Sequence, residues 1–290
     1  PQRGCWKEGP SEEDIELNVS PDAPTPAGKW RAILWQPDSM WIARWRDKLS
    51  NKMKYVWFSD SAIMKQSKEI EKFNLARELN SQLKEVRKHI EENLENSDET
   101  RRRIATVCYL IDNLMFRVGD EENEAGTVGA STLRSEHVII NKPDGTTTFD
   151  FLGKDSIRFK KTVTLPEAIK LNLEEFKENS RSAIFKGVRS KPVSDFLGEV
   201  MPGLTAKVFR THHATRVVDS YLTETKLDHL DPDYVKRHTA TVANLQAAIL
   251  CNHKRKIPKT WKSSLEKRQE RARKLKSQER KTQKTLEALE

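Results

Sequence analysis

The sequence predicts an α+β fold with a β-rich N-terminal part, a mainly helical domain that carries a small sheet, and a basic helix at the end. Three observations predict it. Short stretches that alternate apolar and polar residues recur up to about residue 60, after a largely irregular beginning at 1–28. Apolar residues then recur at helical spacing, and a second group of alternating stretches at 133–163 interrupts the helices. We expect domains at 1–62 and 63–256, and a linker helix at 257–290.

The N-terminal part contains four strand candidates, at 14–19, 30–35, 40–45 and 53–58. Turn-forming residues separate the last three, so we expect neighbours in sequence to pair as an antiparallel meander. Five of the seven tryptophans, at positions 30, 35, 41, 45 and 57, lie in the last three of these strand candidates. They could form a surface on which bases stack, but we interpret them as a small aromatic core, since aromatic side chains supply much of the buried area of a small sheet.

The helical part begins with a charged stretch at 64–95, whose thin apolar stripe is typical of one or two surface helices. Asp98 is a suitable N-cap for a strongly apolar helix at 99–117, which we expect Arg117 to end. Further helices are predicted at 165–178, 192–200, 205–223 and 232–250. Three strands at 133–140, 146–152 and 157–163 are predicted to form an antiparallel sheet, with Pro143-Asp144-Gly145 as one turn.

The last two of these strands form a hairpin with a lysine at its tip. Phe149, Phe151, Ile157 and Phe159 alternate with polar residues, and Gly153 lies where the chain reverses. This pattern presents Lys154 next to Asp155. A lysine on a hairpin tip is most often a solvated surface charge. A functional role for Lys154 therefore depends on residues elsewhere in the chain.

Composition narrows the class of protein. The three cysteines, at positions 5, 108 and 251, are far apart and without metal-ligand spacing, so we expect reduced thiols and an intracellular protein. No apolar run is long enough for a membrane span, and we expect no membrane partner. Residues 254–290 contain 14 Lys and Arg against 5 acidic residues, which equals the net charge of +9 of the whole chain. A basic tail favours binding to a polyanionic partner such as nucleic acid.

Arg117, Lys154, Arg210 and His253 together indicate phosphoryl transfer. Two guanidinium groups can clamp the charge that develops on a phosphodiester, and a histidine can donate one more hydrogen bond. A lysine can protonate the leaving oxygen as general acid. The sequence has neither metal-ligand spacing nor a Gly-rich phosphate loop, so we expect no cofactor and a covalent nucleophile, usually Ser or Tyr. The acids Glu121, Glu122 and Glu124 are interpreted as a solvated loop, and the adjacent histidines 212 and 213 as surface or packing residues.

Five runs in order then identify a resemblance. They are Tyr109-Leu-Ile-Asp-Asn-Leu-Met-Phe-Arg117, Thr127-Val-Gly, Phe149-Asp-Phe-Leu-Gly-Lys154-Asp-Ser-Ile-Arg158, Gly203-Leu-Thr-Ala-Lys-Val-Phe-Arg210-Thr and Ala248-Ile-Leu-Cys-Asn-His253. The chain resembles the type IB DNA topoisomerases of eukaryotes and some archaea, over part of the core and the start of the linker. The resemblance implies a catalytic domain of the tyrosine-recombinase and topoisomerase IB type.

The resemblance also implies roles. The two arginines clamp the phosphate, Lys154 is the general acid, and His253 bonds a non-bridging oxygen. Thr127, Asp155 and Lys207 match positions that contact DNA. In the family a tyrosine forms a 3′-phosphotyrosyl bond, and supercoils relax without ATP or metal. The implied partners are double-stranded DNA, a C-terminal tyrosine-bearing segment and a camptothecin-type ligand at the cleaved DNA. The implied location is chromosomal, in the nucleus if eukaryotic or the nucleoid if archaeal.

The sequence departs from the family pattern. The family nucleophile lies in a Ser-Lys-x-x-Tyr motif, which none of the four tyrosines (55, 109, 221 and 234) matches. We expect this chain to be inactive alone, with the tyrosine supplied by a C-terminal segment or a partner chain. The loop after Arg117 also differs from the eukaryotic pattern, which favours an archaeal member. The alternatives are a non-catalytic DNA-binding clamp subunit and a tyrosine recombinase, although recombinases usually have a histidine where this chain has Lys207.

Overall fold

A computed structural model describes residues 9–119, 126–180, 183–254 and 257–288. The predicted α+β class is confirmed: these residues form seven α-helices, a four-stranded sheet near the N-terminus and a three-stranded antiparallel sheet. The chain divides into two compact units, residues 1–216 and 217–290. The domain boundaries expected at 62 and 256 stay predictions.

The N-terminal sheet contains β1 (Ile15–Asn18), β2 (Ala32–Leu34), β3 (Trp41–Arg46) and β4 (Met53–Trp57), in the order β2-β1-β3-β4. The antiparallel pairing of β3 with β4 agrees with the predicted meander, but the expected pairing of β2 with β3 is wrong, because β1 lies between them, parallel to β2 and antiparallel to β3. The long connection at 19–31 is what allows a parallel return, since parallel strands need a crossover of about a dozen residues. Asn18 fixes the end of β1: its side-chain amide donates to Trp41 O at 3.0 Å and accepts from Gln36 N at 2.8 Å.

The tryptophans of this sheet do not all form a core. Trp41 is buried, with Arg44 lying 4.6 Å above its ring centroid. Trp35 and Trp57 are 51% and 55% exposed, and Trp57 stacks on Tyr55 with the ring centroids 5.1 Å apart. The aromatic-core interpretation is therefore correct for Trp41 and wrong for Trp35 and Trp57, since a single sheet leaves these side chains uncovered.

The helices follow the predicted order: α1 (Ile63–Asn93), α2 (Glu99–Leu114), α3 (Glu167–Glu178), α4 (Ser190–Gly198), α5 (Ala206–Glu224), α6 (Asp233–Leu250) and α7 (Trp261–Glu287). The predicted N-cap is present, because the Asp98 carboxylate accepts from Thr100 N at 2.8 Å. The core of the first unit surrounds α2, whose Leu110 and Ile111 are fully buried among side chains that include Phe196 and Phe209. Each such side chain contributes about 2–3 kcal/mol of burial free energy.

The second sheet contains β5 (Val138–Asn141), β6 (Thr146–Leu152) and β7 (Arg158–Thr164), paired antiparallel as predicted. The first strand begins later than expected, because two 3-10 turns occupy most of residues 130–137. The alternating phenylalanines pack around Phe116, whose ring centroid lies 5.2 Å from those of Phe149 and Phe151. This packing joins the hairpin to the chain just after α2.

The second unit includes α6 and α7. The residues of α7 are all described, and none of them is buried. Leu275 and Leu286 are 56% and 59% exposed, so the described residues of this unit leave both side chains largely uncovered. None of the helices in the described ranges is long and apolar enough to cross a membrane.

Candidate active site

The segment that carries Arg117 is set by a left-handed turn. Helix α2 ends at Leu114 because Met115 adopts φ 62° and ψ 28°. The predicted end at Arg117 is therefore wrong by three residues. A left-handed conformation costs a non-glycine residue about 1–2 kcal/mol, so packing must stabilise it. Met115 and Phe116 are buried, at 5% and 2% exposure, and the side chain of Arg117 is turned outward.

Arg210 lies beside this turn. It is partly buried in the second turn of α5, and its Nη1 donates a hydrogen bond to the carbonyl of Met115. The last carbonyls of a helix have no partner within the helix, so this bond satisfies one of them. Arg117 follows Met115 by two residues, so the two arginines lie on segments in direct contact. Lys207 precedes Arg210 by one turn and is exposed.

The Arg117 segment also pairs with the segment that carries Thr127. Arg117 O accepts from Ala130 N at 2.7 Å, and Val118 O accepts from Ser131 N at 2.8 Å. Gly129 lies at the closest approach: a Cβ atom there would be only 2.6 Å from Arg117 O and 2.6 Å from Gly119 N. The two backbone segments can approach this closely only because Gly119 and Gly129 both lack a side chain.

The same segment reaches the lysine hairpin, since Val128 N donates to Leu152 O at 2.8 Å at the end of β6. Gly153 N then donates to Ile157 O at 2.8 Å and closes the turn, which presents Lys154 and Asp155 as exposed residues. The left-handed residues are Asp155 (φ 62°) and Ser156 (φ 56°), whereas Gly153 has φ −88°. Gly153 is thus close to the reversal but is not the residue that needs a positive φ.

An ion pair braces the hairpin next to its tip. Arg158 donates to both carboxylate oxygens of Asp150, from Nε at 2.7 Å and from Nη2 at 2.6 Å. These hydrogen bonds lower the pKa of Asp150 and raise that of Arg158. A bidentate pair restricts both side chains, so Arg158 stiffens the strands that carry Lys154.

A buried charge network lies behind Arg210. The Asp112 side chain of α2 is 1% exposed and accepts from Arg87 Nε of α1 and from His213 Nε2 of α5, both at 2.7 Å. Burial raises the pKa of Asp112, but the hydrogen bonds from His213 and Arg87 outweigh burial, and the net shift is downward. His212, the neighbour of His213, is buried, and its Nδ1 lies 3.2 Å from Ala76 O.

Sequence reasoning interpreted both histidines as surface or packing residues, and their burial against α1 and α2 agrees with packing. It missed Asp112 and Arg87. The available signal was a carboxylate inside the apolar run Leu-Ile-Asp-Asn-Leu, since a buried acid needs a cationic partner. The partners were not predictable, because Arg87 and His213 are distant in sequence.

His253 belongs to the second unit and is positioned by the end of α6. His253 N donates to Ala248 O at 2.8 Å, and Asn252 N donates to Ile249 O at 3.0 Å. Asn252 has φ 51°. This is a Schellman motif, in which asparagine takes the left-handed position more often filled by glycine. The motif holds the backbone of an exposed His253 just beyond the helix end.

Backbone hydrogen bonds thus join the Arg117 segment to the Thr127 segment, and the Thr127 segment to the Lys154 hairpin. The side chain of Arg210 bonds to the Arg117 segment. The acidic loop at 120–125 lies outside the described residues. Across the described ranges, no cluster of three or more His, Cys, Asp or Glu side chains could hold a metal ion.

Two family models match the chain. The one described as eukaryotic DNA topoisomerase I, catalytic core, matches residues 61–286. The one described as eukaryotic DNA topoisomerase I, DNA binding fragment, matches residues 1–58. The chain belongs to the eukaryotic DNA topoisomerase I family. The resemblance inferred from the five sequence runs is confirmed.

Curated relatives agree with the family assignment. DNA topoisomerase 1 of Candidozyma auris is 34% identical over 95% of this chain and 38% of its own length. DNA topoisomerase I, mitochondrial, of Rattus norvegicus is 34% identical over 92% and 47% respectively. DNA topoisomerase 1 of Homo sapiens is 34% identical over 91% and 36%. The chain therefore spans less than half of the length of these relatives.

The tyrosines lie in regular secondary structure. Tyr109 is in α2, where burial raises its pKa, and Tyr55 is in β4. Tyr221 and Tyr234 lie in α5 and α6, with Tyr234 73% exposed. A raised pKa makes a phenol a poorer nucleophile at neutral pH, so Tyr109 is badly suited to attack a phosphodiester.

Proposed function

We propose that this chain carries the phosphate-binding and acid groups of a type IB DNA topoisomerase acting on chromosomal DNA. Its substrate is supercoiled double-stranded DNA, which is relaxed by transient cleavage of one strand. The observation that carries the proposal is the run of hydrogen bonds from Arg210 through the Arg117 segment to the Lys154 hairpin. These bonds bring three cationic side chains onto connected backbone within one unit.

The chemistry is a transesterification. The tyrosine hydroxyl loses its proton to solvent water as its oxygen forms a bond to phosphorus, and the bond from phosphorus to the 5′ oxygen breaks. Arg117 and Arg210 stabilise the negative charge that develops on the non-bridging oxygens, and His253 donates one further hydrogen bond. Lys154 gives a proton to the leaving 5′ oxygen as general acid. The reverse reaction returns that proton to Lys154 and restores the phosphodiester.

The energy of the phosphodiester is kept in the 3′-phosphotyrosyl bond, so the reaction needs no ATP. In this proposal Thr127, Asp155 and Lys207 contact DNA near the cleaved strand, and a camptothecin-type ligand binds at the cleaved site. The β-rich subdomain at 1–62 forms part of the clamp, 63–256 is the catalytic core, and 257–290 is the linker helix. The tyrosine comes from a C-terminal segment or a partner chain that carries Ser-Lys-x-x-Tyr.

Plasmid relaxation without Mg²⁺ or ATP tests the proposal, with and without a segment that contains Ser-Lys-x-x-Tyr. We expect relaxation only with the segment, and a loss of about 100-fold or more in rate for Arg210→Ala, since each such donor contributes about that factor. Lys154→Ala should also abolish relaxation. Lys161→Ala is the matched control, because Lys161 is an exposed lysine on β7 of the same hairpin.

Three other outcomes would contradict the proposal in different ways. Relaxation by this chain alone would mean that one of its own four tyrosines attacks. No relaxation in either case, with duplex binding retained, would favour a binding-only clamp. Duplex affinity that does not fall steeply with salt would contradict phosphate-dominated binding.

A further inference from the structure

The buried carboxylate of Asp112 has no role in the chemistry proposed above, although its partner His213 follows Arg210 by three residues on α5. The Asp112 side chain is 1% exposed. An ionised carboxylate only accepts hydrogen bonds, so His213 must carry a proton on the Nε2 atom that lies 2.7 Å away. Arg87 holds the other oxygen through its Nε at 2.7 Å. Three helices, α1, α2 and α5, therefore meet at this carboxylate.

The spacing relates this network to Arg210. His213 follows Arg210 by three residues on α5, and residues three apart lie on the same face of a helix. Asp112 lies in the last turn of α2, and Met115 directly follows that helix. The bond from His213 to Asp112 and the bond from Arg210 to the Met115 carbonyl are therefore neighbouring contacts between α5 and the C-terminal end of α2. Two such contacts set both the distance of α5 from α2 and its rotation about its own axis.

We propose that Asp112 and His213 are positioning residues for Arg210, an inference that rests on the proposed function. Their bond holds the turn of α5 that follows Arg210, so that the guanidinium group keeps one N–H on the Met115 carbonyl. A guanidinium has five N–H donors in a rigid plane, so fixing one donor fixes the direction of the others. Arg87 prevents the carboxylate from turning away from His213.

A carboxylate of the same design provides a matched control. Glu199, at the end of α4, accepts from Arg101 Nη2 at 2.8 Å and lies 3.2 Å from His89 Nε2. It lies beside one arginine and one histidine, as Asp112 does, but its side chain is 43% exposed, and it has no contact with the Arg210 turn among the described hydrogen bonds. Glu199→Gln therefore removes a similar charged cluster from the same unit.

The experiment compares three variants, each combined with the Ser-Lys-x-x-Tyr segment. His213→Ala removes the donor to Asp112, and His213→Gln places an amide N–H near the position of Nε2. Plasmid relaxation rate, duplex dissociation constant and urea unfolding are measured for these two and for Glu199→Gln. In addition, ¹⁵N NMR of the arginine side chains follows the Arg210 guanidinium in the chain alone, with Arg210→Lys used for assignment.

We expect His213→Ala to relax DNA about 10- to 100-fold more slowly, since a displacement near 1 Å can cost about 100-fold, with the dissociation constant little changed. His213→Gln should recover most of the rate, and Glu199→Gln should keep it. The Arg210 resonance should shift in His213→Ala only. A rate loss equal to that of Glu199→Gln at equal stability, or an unshifted Arg210 resonance, would overturn the inference.

The two proposals fail separately. If the unaltered chain with its segment does not relax DNA, the proposed function fails, whatever the NMR spectra show. If relaxation is normal but the Arg210 resonance and the rate do not respond to His213→Ala, only the positioning role fails.

Discussion

Gly129→Ala should damage the candidate site without changing any of its functional side chains. Gly129 has φ −125°, which alanine adopts without strain, so the effect is purely steric. The added carbon would lie 2.6 Å from Arg117 O and 2.6 Å from Gly119 N. An ordinary contact is about 3.5 Å, so the two backbone segments must separate by about 0.9 Å.

The magnitude follows from the bonds that this movement disturbs. Ala130 and Ser131 are buried, and their N–H groups donate to Arg117 O and Val118 O at 2.7 and 2.8 Å. A hydrogen bond contributes about 1 kcal/mol net, and an unsatisfied buried group costs about 1–3 kcal/mol. We expect Gly129→Ala to lower the free energy of unfolding by about 2–5 kcal/mol. A shift of Arg117 near 1 Å should also slow relaxation by about 100-fold.

Urea unfolding and plasmid relaxation, the latter with the tyrosine segment, measure the two effects. Gly198→Ala is the control, because Gly198 lies in α4, and a Cβ added there would have no atom within 4 Å apart from its chain neighbours and the backbone of its own helix. That substitution should be neutral or stabilise the protein by up to about 1 kcal/mol. If Gly129→Ala and Gly198→Ala have the same free energy of unfolding and the same relaxation rate, the close contact between the segments of Gly119 and Gly129 does not position Arg117.

Two further predictions concern titrating groups. Because the folded protein lowers the pKa of Asp112, its ionised form stabilises the fold above its ordinary pKa of 3.8, and this contribution is lost as pH falls through the folded pKa. The free energy of unfolding, measured with urea between about pH 6 and pH 3, should therefore fall less steeply in Asp112→Asn than in the unaltered protein; parallel curves would contradict this. Burial raises the pKa of the Cys108 thiol, so alkylation mapped by mass spectrometry should modify Cys108 only as fast as the protein unfolds. Rapid labelling of Cys108 in the native protein would contradict its burial.

The lysine hairpin was predictable because its determinants are local. Phe149, Phe151 and Phe159 alternate along two short strands, and the pairing of these strands depends only on residues a few positions apart. The identity of the turn residues was less predictable. Asp155 and Ser156 adopt the positive φ angles, although glycine is the residue that adopts them most readily.

Features that depend on distant packing were predicted less well. Met115 and Phe116 continue the apolar pattern of α2, so the sequence indicates helix as far as Arg117. Burial of these two side chains beside the second sheet stabilises a left-handed turn that no local preference favours. The predicted pairing of β2 with β3 was wrong for a similar reason, since such short strands do not specify their neighbours.

The residues of the candidate site were predicted from motif resemblance and charge, whereas their support was not. Asp112 and His213 are 101 positions apart, and no spacing rule relates them. The chemistry of an active site restricts residue type strongly. The scaffold beneath it needs only a buried acid and a donor within reach, which many sequences can supply.

The sequence distance between Arg210 and Met115 also has a consequence for how the protein forms. These residues are 95 positions apart, and the hairpin with Lys154 lies between them. Contacts that close such long loops form late in folding, because the chain loses the entropy of loop closure before the contact contributes any stabilising free energy. A nascent chain can thus complete α2 and the hairpin while its two arginines are still apart. The candidate site is therefore complete only when α5 has been synthesised and has packed against the end of α2.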